Sequence, residues 1–372
     1  MSAIAGRGKA VVVVGAGGNI GSHLVPHLPR TPGIGRATFI DRDCYDETNL
    51  WTQDIRRRDL ARPKAVVQAR RVREIDPTFE VEAITTAVED VPLGALRGDV
   101  ILACVDSRAA RRAINALAWR LGVPWIDAGV HGEELLCRVN VYVPGPGRPC
   151  GECSMSEFDY ETQEQPYPCF GAPPVSSTNA PSALGALAAA LQAIECRKLL
   201  ADDWDHVAVG RQVTVSALTH RALVTRFTAN PHCRFDHAVF DVRTVANGAT
   251  AYDLPRFFEL ARRVLSSSDP LALKVVDQRF VRRLTCVACG VSREIVPYLL
   301  GRLGAVGRAC TSCGETVHAA GFDQIEWLCA DDLAPDARAL PLASLGLRPG
   351  DVVSVAQGSR VAHFELREVK HE

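Results

Sequence analysis

Between residues 10 and 145 the chain keeps returning to one pattern: a short β-branched run, a turn, then a stretch with helical spacing. "KAVVVVGAG" leads into the helix start "NIGSHLVPHL", and "RATFIDRD" is a second strand ending in acids. "RPKAVVQARRVREID" has helical spacing, "EVEAITTAV" reads as strand, and "DVILACVDS" precedes the helix "RAARRAINALAWRLG". "VPWIDAGV" and "RVNVYVP" complete the set. Parallel strands need long crossovers, which the helical stretches supply. The alternation therefore predicts a doubly wound, mostly parallel sheet with helices on both faces.

Bulk properties narrow the function classes. A 372-residue chain with 47% apolar and 23% charged residues reads as a soluble globular protein with a substantial core. A formal net charge of -1 supplies no global field toward nucleic acid or an anionic membrane. "AVVVVGAG" is far too short to span a bilayer, and no secretory cleavage pattern follows it, so a cytoplasmic location is expected. Thirteen cysteines, several in C-x-x-C pairs, then point to metal or catalysis rather than to a disulfide framework.

Residues 146–178 break the alternation with a run rich in Pro, Gly, Ser and acids, read as a long crossover loop. Regular structure resumes with "APSALGALAAALQAIECRKLLAD", a strong helix former, and "RQVTVSAL" with "RALVTRFTA" suggests a hairpin closing the domain near "NPHCRFDH". From about residue 240 the composition changes: an amphipathic helix "LPRFFELARRVL", strand candidates and a cysteine array follow. The expectation is a Rossmann-like nucleotide-binding domain over 1–239 and a smaller, β-rich unit over 240–372 containing a zinc ribbon at 286–313.

"VVVVGAGGNIGS" is a glycine-rich turn between a strand and a helix, where the backbone must turn sharply and let phosphates approach its N–H groups. Gly15, Gly17 and Gly21, with Gly18 among them, run one residue beyond the six-residue dinucleotide pattern, so the loop is either lengthened or read in a shifted register. Asp41 and Asp43 end the next strand, about where an acid meets ribose hydroxyls in this fold. A tight turn with a solvated acid pair is the plainer alternative.

The stretch "DRDCYDETNLWTQDIRRRDLARPKA" resembles the signature of the superfamily of ubiquitin-activating enzymes and bacterial sulfur-carrier adenylyltransferases, the ThiF/HesA/MoeB-like proteins. The matching residues are Asp41, Asp43, Asn49, Leu50, Gln53 and Lys64; "CVDSRAARRAIN", "VPWIDAGV", "PCGEC" and "ALAAALQAIECRKLL" continue the likeness over roughly residues 10–237. The resemblance implies the adenylation fold of these enzymes, ATP and magnesium as cofactors, and Asp106 as the aspartate that holds magnesium. Attack of a carboxylate on an α-phosphate needs cations to stabilise the phosphate charge, and Lys64 with Arg56, Arg57 and Arg58 supplies them. A solvated basic face is the alternative for each arginine. The family arginine of Asn-Leu-x-Arg-Gln is Thr52 here, which implies either replacement by a neighbour such as Arg56 or a weakened site. Relatives also supply an arginine from an N-terminal helix of the partner subunit, a role left here to Arg7 or to nothing.

Cys286-x-x-Cys289 and Cys310-x-x-Cys313, 20 residues apart, are two knuckles suited to one structural zinc ion. The family's zinc lies elsewhere, and the resemblance places it at Cys150, Cys153 and Cys233, with His237 as fourth ligand and His232 or Asp236 as substitutes. Mixed pairing between the two cysteine sets is a further arrangement. Cys44, Cys104, Cys137, Cys196 and Cys329 read as buried or incidental thiols. Cys169 stands in the crossover loop, where ubiquitin-activating relatives carry the cysteine that takes the activated protein as a thioester. A structural thiol or a zinc ligand is its alternative reading.

The leading expectation is ATP-dependent adenylation of the C-terminal glycine of a ubiquitin-like β-grasp protein, thioester formation on Cys169, and transfer to a conjugating enzyme. The alternatives are adenylation of a sulfur-carrier protein without a cysteine intermediate, a nucleotide-free scaffold, and an NAD-dependent oxidoreductase. The resemblance also implies a homodimer.

Overall fold

The computed structural model describes residues 8–164, 180–266, 270–304 and 306–369. The chain divides into two compact units, Met1–Val91 with Leu96–Val239, and Pro92–Ala95 with Phe240–Glu372.

The first unit is built on an eight-stranded sheet. Its strands are β1 (Lys9–Val14), β2 (Ile34–Ile40), β3 (Glu80–Ile84), β4 (Val100–Ala103), β5 (Trp125–His131), β6 (Leu136–Tyr142), β7 (Arg211–Ser216) and β8 (Arg221–Arg226). They lie in the order β3-β2-β1-β4-β5-β6-β7-β8. The first five are mutually parallel. From β5 to β8 each pair is antiparallel, so the sheet is mixed. The reason is in the connections. A short turn between β5 and β6 can only join antiparallel neighbours, whereas helices carry the chain back between the earlier strands. The "VVVV" of β1 and "VILA" of β4 are buried throughout, as expected of central parallel strands covered on both faces.

The helices are α1 (Asn19–Leu24), α2 (Lys64–Ile75), α3 (Arg108–Leu121), α4 (Glu157–Glu164) and α5 (Ser182–Leu200). α5 buries Leu184, Ala188, Gln192, Cys196 and Leu199 along one stripe. Gly185 lets it approach α1, for a Cβ there would stand 1.8 Å from Asn19 Oδ1. α4 corrects the reading of 146–178 as loop. Ser156 and Asp159 cap its start reciprocally, the Ser156 amide donating to Asp159 and the Asp159 amide to Ser156 Oγ.

The second unit carries β9 (Val242–Ala246), α6 (Gly248–Ala251), α7 (Leu254–Leu265), β10 (Ala272–Val275), β11 (Phe280–Cys286), β12 (Ser292–Leu299), β13 (Val317–His318), β14 (Gln324–Ile325), β15 (Leu328–Cys329), β16 (Val352–Gln357) and β17 (Arg360–Arg367). One sheet runs β15-β10-β16-β17-β9, and a second joins β12, β11, β13 and β14. α7 packs Leu254, Phe257, Phe258, Ala261 and Leu265 into the core of the first of these sheets. Arg302 and Asp351 form a fully buried ion pair through two hydrogen bonds of 2.5 and 2.6 Å. Among the described residues no helix is long and apolar enough to cross a membrane.

Candidate functional site

Strand order reverses between β1 and β4, and the carboxyl end of strands at such a switch point is where open α/β sheets place their ligands. The glycine turn follows β1, and the Val105–Ser107 loop follows β4 at the same edge. Gly15 takes a φ of 77°, and a Cβ there would meet the Cys104 carbonyl at 2.7 Å. At Gly17 a Cβ would meet Lys64 Cβ at 2.3 Å, and at Gly21 the Gly15 carbonyl at 2.1 Å. These glycines are required by close approach of the chain at the turn. Gly18 has only ordinary contacts.

Asp41 is buried and spoken for: Oδ2 accepts from the Gly17 amide at 2.8 Å and Oδ1 from the Asp43 amide at 3.1 Å. Burial nevertheless pushes its carboxyl above the usual range. Asp43 is the freer acid, more than half exposed, with Lys64 Nζ at 3.8 Å. Lys64 is the first residue of α2, its amide donating to the Asp43 carbonyl. Its side chain is nearly buried and its Nζ stands 5.6 Å over the Tyr45 ring.

Asn49 is committed locally, accepting from the Asp46 amide at 3.1 Å. Gln53 Oε1 is buried and unpaired among the described residues. Its neighbour Asp54 donates its amide to Ser22 Oγ of α1, which docks this segment beside the glycine turn. Arg58 pairs with Glu74, while Arg56 and Arg57 are exposed and make no ion pair among the described residues. Trp51, beside Thr52, is 83% exposed. Asp106 is exposed in the loop after β4 and also makes no ion pair among the described residues. The glycine turn and the underpaired Lys64 suit phosphate, the orphaned Gln53 oxygen suits a donor such as a hydroxyl or amino group of the same nucleotide, and an exposed carboxylate at the switch point suits magnesium.

Among the described residues two clusters form without mixed pairing, Cys150, Cys153 and Cys233 with His237, and Cys286, Cys289, Cys310 and Cys313. In the first, Cys150 Sγ lies 3.8 Å from both Cys233 and Cys153, and His237 Nε2 lies 3.1 Å from Cys150 and 3.5 Å from Cys153. In the second, Cys286–Cys313, Cys289–Cys310 and Cys289–Cys313 are separated by 3.5, 3.6 and 3.6 Å. Ligands about 2.0–2.3 Å from a tetrahedral zinc ion stand roughly 3.5–3.8 Å from one another, so both sets fit that ion. His237, not His232 or Asp236, completes the first set; Asp236 pairs with Arg120. His237 adopts a left-handed backbone, φ 54°, with its carbonyl held by Trp119 Nε1 at 2.8 Å.

In the second cluster the glycine after each knuckle carries a positive φ, 73° at Gly290 and 78° at Gly314, and each donates to the carbonyl of the knuckle's first cysteine. That C-x-x-C-Gly spacing is a sequence signal the reading of the knuckles left unused. The Ser312 and Cys313 amides draw the Cys310 thiol down to about 6, toward thiolate. Cys104, Cys137 and Cys196 are buried, Cys329 is half-buried, and Cys44 is exposed rather than buried. Arg7 and Cys169 lie outside the described residues.

Sequence reasoning also passed over a buried ion cluster. Asp127 on β5 receives Arg111 Nε at 2.8 Å and Arg138 Nη1 at 2.6 Å. Burial opposes its ionisation, but the two guanidiniums outweigh burial and hold its carboxyl below the usual range.

Residues 7–235 match the family model described as the ThiF family. The chain belongs to the ThiF family. Among its relatives, the molybdopterin-synthase adenylyltransferase of Escherichia coli is 27% identical over 230 residues, 61% of this chain and 86% of that protein. The adenylyltransferase and sulfurtransferase UBA4 of Yarrowia lipolytica is 32% identical over 149 residues, 40% of this chain and 36% of that protein. Ubiquitin-like modifier-activating enzyme 5 of Dictyostelium discoideum is 28% identical, covering 40% of this chain and 42% of that protein. The chain thus spans well under half the length of two of these three relatives. The fold is also that of E. coli MccB, with a TM-score of 0.50 at 21% identity over 61% of this chain and 65% of MccB.

Proposed function

We propose that this ThiF-family chain activates a small β-grasp protein by ATP-dependent adenylation of its C-terminal carboxylate. The observation that carries the reading is that the glycine turn after β1, packed against Lys64, and the Asp106 loop after β4 meet at the β1/β4 switch point. The carboxylate oxygen attacks the α-phosphorus, the bond to the bridging oxygen breaks, and pyrophosphate leaves with the electron pair. Lys64 stabilises negative charge on the phosphates from a site with little water to screen it. Asp43 receives the ribose hydroxyls, since Asp41 is occupied by two backbone amides. Asn49, Gln53 and Arg56 complete the polar wall, with Arg56 in place of the arginine replaced by Thr52. Magnesium, held by Asp106, supplies Lewis-acid neutralisation of the phosphates.

Zinc is proposed for both cysteine clusters, as a structural ion in each. The relatives named for ubiquitin-like modifiers and for molybdopterin synthase leave two classes of β-grasp substrate. Of these we favour a ubiquitin-like modifier, transferred to Cys169 as a thioester and onward to a conjugating enzyme, with the protein acting as a homodimer. In that step the Cys169 thiolate displaces AMP from the acyl-adenylate. Cys169 precedes Ala180, where described structure resumes against α1 through Asn19 and His23.

ATP–pyrophosphate exchange that requires a β-grasp protein tests adenylation. A reducible adduct lost in Cys169→Ala tests the thioester, and exchange without an adduct selects sulfur-carrier activation instead. Absence of ATP binding even with the β-grasp partner present would leave only a scaffold.

A further inference from the structure

We infer that Arg111 is a positioning residue for the Asp106 carboxylate, gripping the peptide backbone on either side of it from the buried Asp127. The inference rests on the reading of Asp106 as the magnesium carboxylate. Arg111 lies in the first turn of α3 and reaches back over the loop that precedes it. Nη2 donates to the Val105 carbonyl at 2.6 Å and Nη1 to the Asp106 carbonyl at 3.2 Å, while Nε donates to Asp127 at 2.8 Å. One planar fork therefore fixes two successive peptide carbonyls against a carboxylate that is itself only 3% exposed.

Asp127 cannot swing with its partner, because Arg138 holds its other oxygen at 2.6 Å. Gly129, paired across the sheet with Arg138, makes room for that second guanidinium; a Cβ there would crowd it at 3.1–3.2 Å. The Asp106 side chain makes no ion pair among the described residues, so its direction is inherited from the backbone that Arg111 clamps. Ser107 supports the same loop by capping α3, its Oγ accepting from the Ala110 amide at 3.0 Å. Lysine carries the same charge as arginine but has no fork, so it can satisfy Asp127 without fixing both carbonyls.

The test compares Arg111→Lys, Asp127→Asn and Asp106→Asn with the parent full-length chain. Manganese binding is followed by electron paramagnetic resonance in the presence of a non-hydrolysable ATP analogue, alongside thermal melts. Arg111→Lys is expected to melt within a few degrees of the parent yet need about tenfold more manganese for half-saturation, the usual scale for loss of a group that orients a metal ligand. Parent-like manganese binding in a folded Arg111→Lys overturns the inference. Should Arg111→Lys fail to fold, Asp127→Asn decides: a shift in the same direction supports the clamp, and no shift overturns it. Asp106→Asn reports on the underlying reading separately. If it binds manganese like the parent, Asp106 is not the ligand and the inference falls with that reading; if it loses binding while Arg111→Lys does not, only the clamp fails.

Discussion

Lys64→Met should separate stability from function, because Lys64 is nearly buried yet poorly paired. Its ammonium has Asp43 at 3.8 Å as its ion-pair partner and a Tyr45 ring at 5.6 Å. Two unit charges about 4 Å apart gain roughly 4 kcal/mol at an effective dielectric of about 20. Desolvating a buried ammonium costs several kcal/mol in return. The two terms nearly cancel, and the Asp43 left behind is more than half exposed, so water takes over its solvation. Methionine keeps the apolar stem. The melting temperature should therefore stay within about 2–4 °C, the shift that roughly 1 kcal/mol produces in a domain of this size. The loss with ATP is of another order. Removing one preorganised donor from a developing phosphate charge costs about 10²–10³ in rate, roughly 2.7–4 kcal/mol. The assay pairs ATP–pyrophosphate exchange with melts run with and without MgATP. The parent should gain thermal stability from nucleotide and the variant should lose most of that gain. Exchange within about threefold of the parent, or a melting temperature more than about 8 °C lower without nucleotide, would refute the assignment of Lys64 to the phosphates.

Arg302→Met strands the fully buried Asp351 and should cost about 3–5 kcal/mol in urea unfolding, whereas Arg302→Met with Asp351→Leu should recover most of it. A single variant within about 1 kcal/mol of the parent would show that Asp351 finds another partner. Asp127 has a folded pKa below its unfolded value of about 3.9, so the unfolded chain binds the proton first. Its contribution is fully present above that unfolded value and is lost as pH falls through the folded one. Asp127→Asn should flatten the acid limb of the stability profile, and an unchanged limb counts against the pair of arginines. Protein purified without chelators should hold two zinc ions per chain by elemental analysis, one missing in Cys233→Ser and the other in Cys289→Ser. A parent without zinc would remove both assignments.

Much of the first unit was legible because its signals are periodic or local. Runs such as "VVVV" and "VILA" announce strands buried on both faces, and the glycine-rich turn between a strand and a helix is a local signal, although the Gly15 contact with Cys104 is distant in sequence. The clustering of the cysteine pairs was legible for the same reason, since C-x-x-C brings two thiols together whatever surrounds it. What escaped was set by distant residues or by a choice between near-equal local states. The start of α4 depends on the reciprocal Ser156–Asp159 cap within a stretch whose composition says loop. Asp41 and Asp43 look equivalent in "DRD", but folding gives one of them the Gly17 amide and leaves the other to solvent. The Arg111–Asp127–Arg138 cluster joins a helix to two strands, and no spacing along the chain announces it.

Helix α3 ties the loop after β4 to the Cys150 cluster. Residues four apart lie on one face, and Arg111, Asn115 and Trp119 form such a stripe. Arg111 grips the Val105–Asp106 backbone, Asn115 Oδ1 accepts from the Gly151 amide between the paired cysteines at 2.8 Å, and Trp119 donates to the His237 carbonyl. Beside the stripe, Arg112 pairs with Glu152, which also accepts from Tyr160 of α4, and Arg108 pairs with Asp159 of α4. One rigid helix of 14 residues thus holds the Asp106 loop at its first turn, the base of the crossover along its flank, and the metal-ligand cluster toward its end. Two departures from the family pattern fall on different parts of this frame. By the family resemblance Asp236 stands where a second cysteine would fall, and the next residue, His237, places Nε2 3.1 Å from Cys150 and 3.5 Å from Cys153. Thr52 leaves its position without a guanidinium, and the exposed Arg56 and Arg57, unpaired by any carboxylate among the described residues, are the cations the same segment offers in its place. At the Cys150 end the four side chains already stand within contact distance of one another, whereas at the Thr52 end Arg56 and Arg57 are held by no carboxylate among the described residues.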